Sequence, residues 1–130
     1  MILQTTLTLT AAAAIITLWH MIRIGRLRHS QKVIHGDGGN EALLRRMRAQ
    51  ANFVENTPFV LILIAAIEMT GKGGTWLAVV GAVFMLGRVA HAIGMDAPGA
   101  HIGRMAGTLI AMLTLLGLAV VAVLISLAVI

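Results

Sequence analysis

Apolar runs alternate with short polar stretches along the 130 residues of the chain. Ile2 to Trp19 carries no charge, and together with the residues up to Ile24 it is long enough to cross about 30 Å of hydrocarbon as a helix. A polar loop is expected over 29–40, broken by Gly36-Asp37-Gly38-Gly39-Asn40. Asn40 suits the N-cap of a second helix, from Glu41 to about Met69, polar in its first half and apolar in its second. Gly71-Lys72-Gly73-Gly74 then reads as a tight turn. A third helix is expected over roughly Thr75 to Met95 and a turn at Asp96-Ala97-Pro98-Gly99. The fourth helix should begin near His101 and continue to Ile130, with no charge after Arg104. The pattern predicts an all-α integral membrane domain, a single unit over 1–130 with four transmembrane helices.

Charge orients that domain. Arg23, Arg26, Arg28, Lys32, Arg45, Arg46 and Arg48 flank the first connection, and Arg88 and Arg104 flank the third. The second holds only Lys72. Positive charge marks the cytoplasmic side, so both termini are expected in the periplasm or a lumen. A cleavable leader places its cations before its apolar run. Here they follow it, so the first segment reads as a retained anchor.

Composition agrees with lipid burial. Charged residues make up 12% of the chain and the mean hydropathy is +0.92, against about 25% charged in a soluble domain. The net charge of +5 would suggest nucleic acid in a soluble protein. Here the cations lie between apolar stretches and aromatics are few, so topology explains them and no nucleic-acid partner is expected. The chain has no cysteine, which excludes disulfides and thiolate metal sites. Its five histidines lack ligand spacing, so no metal is expected. Neither glycine-rich turn has the order or context of a phosphate loop.

The second helix carries the candidate chemistry. Arg45, Arg48, Asn52 and Glu55 are spaced three, four and three residues apart, which puts them on one helical face. Gln50 and Asn56 lie off this line and widen the polar sector. Charge at a membrane boundary is expensive and points to function. One reading is an ion-pair network that fixes helix packing, with Glu55 answering an arginine. The other is a ligand site, because the arginines outnumber the carboxylate. Guanidinium groups grip carboxylates bidentately and Glu55 could hold an ammonium, so the stripe suits a small acidic peptide. Pro58, just past the stripe, either kinks the helix or is a tolerated transmembrane proline. His91 shares a face with Arg88 and reads as an interfacial hydrogen-bonding residue. Glu68 is expected to be solvated at the outer end of the second helix. Arg104 opens the fourth helix, where a snorkelling membrane anchor is the plainer reading. Gly103 and Gly107 form one GxxxG, weak support for close helix packing. Four short helices bury little surface and the polar face needs a protein wall, so a homo-oligomer is expected.

Arg48-Ala-Gln50-Ala-Asn52-Phe-Val-Glu55-Asn56-Thr-Pro58 resembles the signature of the MAPEG family, the membrane-associated proteins of eicosanoid and glutathione metabolism. The likeness extends over almost the whole chain and is greatest to the bacterial group. Members include microsomal glutathione transferases and the non-catalytic five-lipoxygenase-activating protein. The resemblance implies a homotrimer of four-helix units, with glutathione bound as co-substrate between subunits toward the cytoplasm. It implies that Arg48, Asn52 and Glu55 hold glutathione and that Gln50 adds a contact. It assigns stabilisation of the thiolate to Arg104; were that role to fall elsewhere, Arg88 is the next candidate on the sequence. Arg45 extends the binding stripe. Arg23, Arg26 or Arg28 could reach the peptide carboxylates, and Arg26 is taken with the site.

The expected function is a detoxifying glutathione transferase or peroxidase that acts on small lipophilic electrophiles or lipid hydroperoxides arriving from the membrane lipid. The alternatives are a non-catalytic ligand- or lipid-binding protein of the same fold and a purely structural membrane protein. Asn56 stands where several eukaryotic members carry tyrosine, and this chain has no tyrosine. Any thiol activation then falls to arginine.

Overall fold

The computed structural model describes residues 2–130. Four helices follow one another, α1 (Gln4–Gln31), α2 (Glu41–Met69), α3 (Thr75–Met95) and α4 (Ile102–Ser126). Each contains a stretch long and apolar enough to span a bilayer. The backbone polar groups of such a segment must be satisfied within it, and a helix does this.

The helix ends follow from local chemistry. The Asn40 side chain accepts from Leu43 N at 2.9 Å, with Glu41 in the first turn of α2. α4 is capped in the same way by His101, whose Nδ1 accepts from Gly103 N at 3.0 Å. α1 runs past the expected loop start to Gln31. Arg28 and His29 belong to a last, polar turn that keeps the helical form. Lys32 then closes it in a left-handed conformation, with Val33 N donating to Arg28 O at 3.0 Å. α4 stops at Ser126, so its final residues are not helical as expected. α2 continues through Pro58 as one helix.

α2 and α3 touch each other and both remaining helices, whereas α1 and α4 lie on opposite flanks and do not meet among the described residues. The apolar core joins Leu9 and Ile16 of α1, Val60 and Ile64 of α2, Phe84 of α3 and Leu118 of α4. α3 and α4 approach through glycines. A Cβ on Gly107 would lie 2.6 Å from the His91 Cβ, and one on Gly103 would lie 2.6 Å from the Ala90 carbonyl oxygen. The GxxxG pair is therefore used inside the protomer.

At one end of the bundle Glu68 holds the start of α1. Its carboxylate accepts from Thr5 N and Thr6 N, both at 2.8 Å, and from Thr6 Oγ1 at 2.7 Å. Glu68 was expected to be solvated. It remains partly exposed and in addition pairs the unmade N–H groups of a helix start, against the positive end of the helix dipole. The opposite end carries every lysine and arginine except Lys72. There Asp96, just past α3, binds Arg23 of α1 and lies 3.8 Å from the Arg46 Nε of α2. Arg46 also donates to the Arg23 carbonyl at 2.8 Å, and the Arg23 guanidinium lies over the Trp19 ring at 4.5 Å.

Candidate functional site

The helix-two stripe opens onto a pocket at this polar end. Arg48, Ala51, Asn52 and Glu55 of α2, His91 and Met95 of α3, and Arg104 and Thr108 of α4 line a space of about 230 Å³. The α2 residues converge because they recur every three or four positions. Arg104 arrives from the first turn of α4, which the glycine seam draws against α3. Gly94 meets the Gly103 and Arg104 backbone so closely that a Cβ there would overlap it. Asn40 and His101 thus start the two helices that present the cationic walls, Arg48 in the third turn of α2 and Arg104 in the first turn of α4.

Ion pairing separates two kinds of charge. Among the described residues the ion pairs join Arg23 and Arg46 to Asp96, and Arg45 to Glu41 at 3.7 Å. Arg48, Glu55 and Arg104 belong to none of these. A packing network in which Glu55 answers an arginine is therefore not formed within the protomer. The pocket presents guanidinium groups with one carboxylate among them, which chemically suits an anion that also bears an ammonium.

Other expected site residues lie elsewhere. Arg45 is engaged with Glu41 and does not line the pocket. Gln50 is half-buried on another face of α2. Asn56 donates to the Asn52 carbonyl at 2.7 Å, one turn back. Of the arginines ending α1, Arg23 is held by Asp96, and Arg28 donates to the Gly36 carbonyl at 2.6 Å. Arg26 is exposed.

Arg88 lies behind the pocket. It is 2% exposed, with Nη1 donating to Asn52 Oδ1 and Nη2 to the Gly107 carbonyl at 2.5 Å. His91 is 4% exposed and forms the α3 wall. It packs between helices. His20, 1% exposed, lies against Phe53 with the rings tilted and their centroids 5.4 Å apart. Sequence reading gave it no role, and its only signal was a histidine at the end of an apolar run.

Next to the polar pocket, an apolar groove of about 440 Å³ runs along α4. It is lined by His101, Met105, Leu109 and Met112 and shares Arg104 and Thr108 with the pocket. A polar compartment thus adjoins an apolar one, with Arg104 between them. Fold and site define an integral membrane four-helix protein with a cationic pocket at its polar end. The MAPEG family model matches residues 6–124, and the chain belongs to that family. It is similar to the inner membrane protein YecN of Escherichia coli strain K12, 32% identical over 83 residues. YecN of the O6:H1 strain CFT073 matches equally, at 32% over 83 residues. In both comparisons the matched stretch spans 63% of this chain and 63% of the relative.

Proposed function

We propose that this protein is a glutathione-dependent transferase or peroxidase of the membrane. It would join the glutathione thiolate to lipophilic electrophiles or reduce lipid hydroperoxides. The observation that carries this reading is the convergence of Arg48, Asn52, Glu55 and Arg104 on one pocket.

In this reading Arg48 grips a peptide carboxylate and Glu55 receives the ammonium. Charge supports the assignment. Arg48 and Arg104 line the pocket, Arg88 backs it, and Glu55 offsets one of the three, leaving two net positive units. Glutathione carries roughly one net negative charge as the thiol and roughly two as the thiolate. The balanced form is the nucleophilic one. A free thiol has a pKa of about 8.5, so a guanidinium at the sulfur raises the fraction that can react. Arg104 has that role because it lies where the polar pocket meets the apolar groove. In conjugation the sulfur forms a bond to carbon and the leaving group departs with its electron pair. In peroxide reduction two thiols supply two electrons and two protons, leaving disulfide, alcohol and water.

Assembly belongs to the same reading. Arg48, Glu55 and Arg104 are exposed in the protomer, and a neighbouring subunit in a homotrimer would cover them and complete the site. Cross-linking in detergent should give trimers, and a strictly monomeric species would remove this part. Similarity to an inner membrane protein supports an inner-membrane location, and in this reading the clustered cations put the pocket end toward the cytoplasm.

The test is calorimetric titration of the detergent-solubilised protein with glutathione, followed by a conjugation assay with a chloronitrobenzene. Binding with turnover is expected. If neither glutathione nor a related thiol binds at millimolar concentration, the reading is lost. The lack of tyrosine favours one second reading, ligand binding without chemistry. Binding without turnover would select it.

A further inference from the structure

We infer that Arg88 is a positioning residue that turns the Asn52 carboxamide so that its NH2 group donates into the pocket. Asn52 thereby reads a carboxylate or amide carbonyl of the bound thiol peptide. The inference rests on the glutathione reading and adds how the site selects its ligand.

Arg88 is a charged side chain well inside α3, one place after Gly87 and facing the other helices. A buried cation without good partners is costly in a membrane. Its two terminal nitrogens are committed to Asn52 Oδ1 and the Gly107 carbonyl, its guanidinium lies 5.6 Å from the Phe84 ring centroid, and its Nε has no partner. Arginine only donates hydrogen bonds, whereas a carboxamide has one accepting and one donating end. The end of Asn52 that meets Arg88 must therefore be the oxygen. Asn52 also lines the pocket, so the end left for a ligand is the NH2 group.

The consequence is a fixed polarity. Arg48, Arg104 and the Asn52 NH2 group donate toward the pocket, and Glu55 accepts. Without Arg88 the carboxamide could rotate and offer its oxygen, which would repel a carboxylate. The Gly107 contact adds a mechanical part. Gly107 precedes Thr108 and follows Arg104 by three residues, so the same guanidinium ties the α4 wall to the α2 wall. Arg88 thus acts on the ligand through Asn52 and α4.

A double-mutant cycle tests this. Glutathione affinity is measured for the wild type, Arg88→Met, Asn52→Ala and the double variant, with a melting temperature for each to verify folding. Arg88→Met should weaken binding about tenfold, the order expected when a polar contact to the ligand is lost. On the Asn52→Ala background the same change should weaken it less than about twofold, because the group that Arg88 orients is gone. Arg88→Lys, which keeps a donor for Asn52, should recover most of the affinity. If Arg88→Met does not fold, Arg88→Gln is taken through the same cycle. Additive losses from Arg88 and Asn52 would overturn the inference and leave the glutathione reading standing. A folded wild type that does not bind glutathione overturns both.

Discussion

Two arginines of similar appearance in the sequence have different surroundings in the fold. Arg88 is buried with both terminal nitrogens committed to protein acceptors, whereas Arg104 is exposed at the junction of a polar and an apolar compartment. In the glutathione reading, only the second is placed to act on a reacting sulfur. Arg104→Ala should therefore lower turnover by two orders of magnitude or so, about what one electrostatic group at a developing anion contributes. Glutathione affinity should change only a few-fold. Thiolate absorbance on mixing and steady-state conjugation separate these effects, and unchanged turnover would remove the role from Arg104. At the other end of the bundle, Glu68 offers a residue-scale contrast. Glu68→Ala would leave the Thr5 and Thr6 N–H groups without their acceptor. It should cost about 1–2 kcal/mol, the range for loss of a helix cap, with glutathione affinity unchanged. Thermal unfolding in detergent checks the first expectation and titration the second.

At the scale of helices, the site depends on how closely α3 and α4 pack. Gly94 meets the backbone of Gly103 and Arg104, which cannot move aside as a flexible side chain would. Gly94→Ala should destabilise by about 1–3 kcal/mol, as overpacking does, and lower turnover because Arg104 shifts with its backbone. Gly25 on α1 has open space where an alanine methyl group would sit, with nothing within 4 Å, so Gly25→Ala should be neutral or gain up to about 1 kcal/mol. Equal melting temperatures for the two variants would refute the seam. Most of this element level was legible in the sequence. Asn40, Gly71 to Gly74 and Asp96 to Gly99 mark boundaries by local chemistry, and the spacing of Arg48, Asn52 and Glu55 brings them to one pocket. The less legible parts depend on distant partners. Glu68 looks solvated until the start of α1 is brought against it from more than sixty residues away. Asp96 looks like a turn residue until Arg23 and Arg46 converge on it. Arg88 gave one local signal, a charge directly after Gly87 within an apolar run, but its acceptors lie on α2 and α4.

For the whole molecule, the decisive asymmetry is between the two ends of the bundle. One end holds Lys72 and the satisfied Glu68, and the other holds the remaining cations and the pocket. Cations stay preferentially on the cytoplasmic side, so the pocket should face the compartment where small thiols are kept reduced. The chain contains no native cysteine, so a single introduced thiol can be labelled without background. His35→Cys lies in the first connection, next to the arginine-rich end of α1, and Lys72→Cys lies in the second. Both positions are exposed. A membrane-impermeant maleimide added to intact spheroplasts should label Lys72→Cys and spare His35→Cys, and lysis should expose both. The reverse pattern would place the pocket on the periplasmic side, away from reduced thiols. It would then count against a thiol-dependent activity even if glutathione bound to the purified protein. Topology is therefore part of the chemical argument, because a nucleophile that must be a thiolate is useful only where its supply remains reduced.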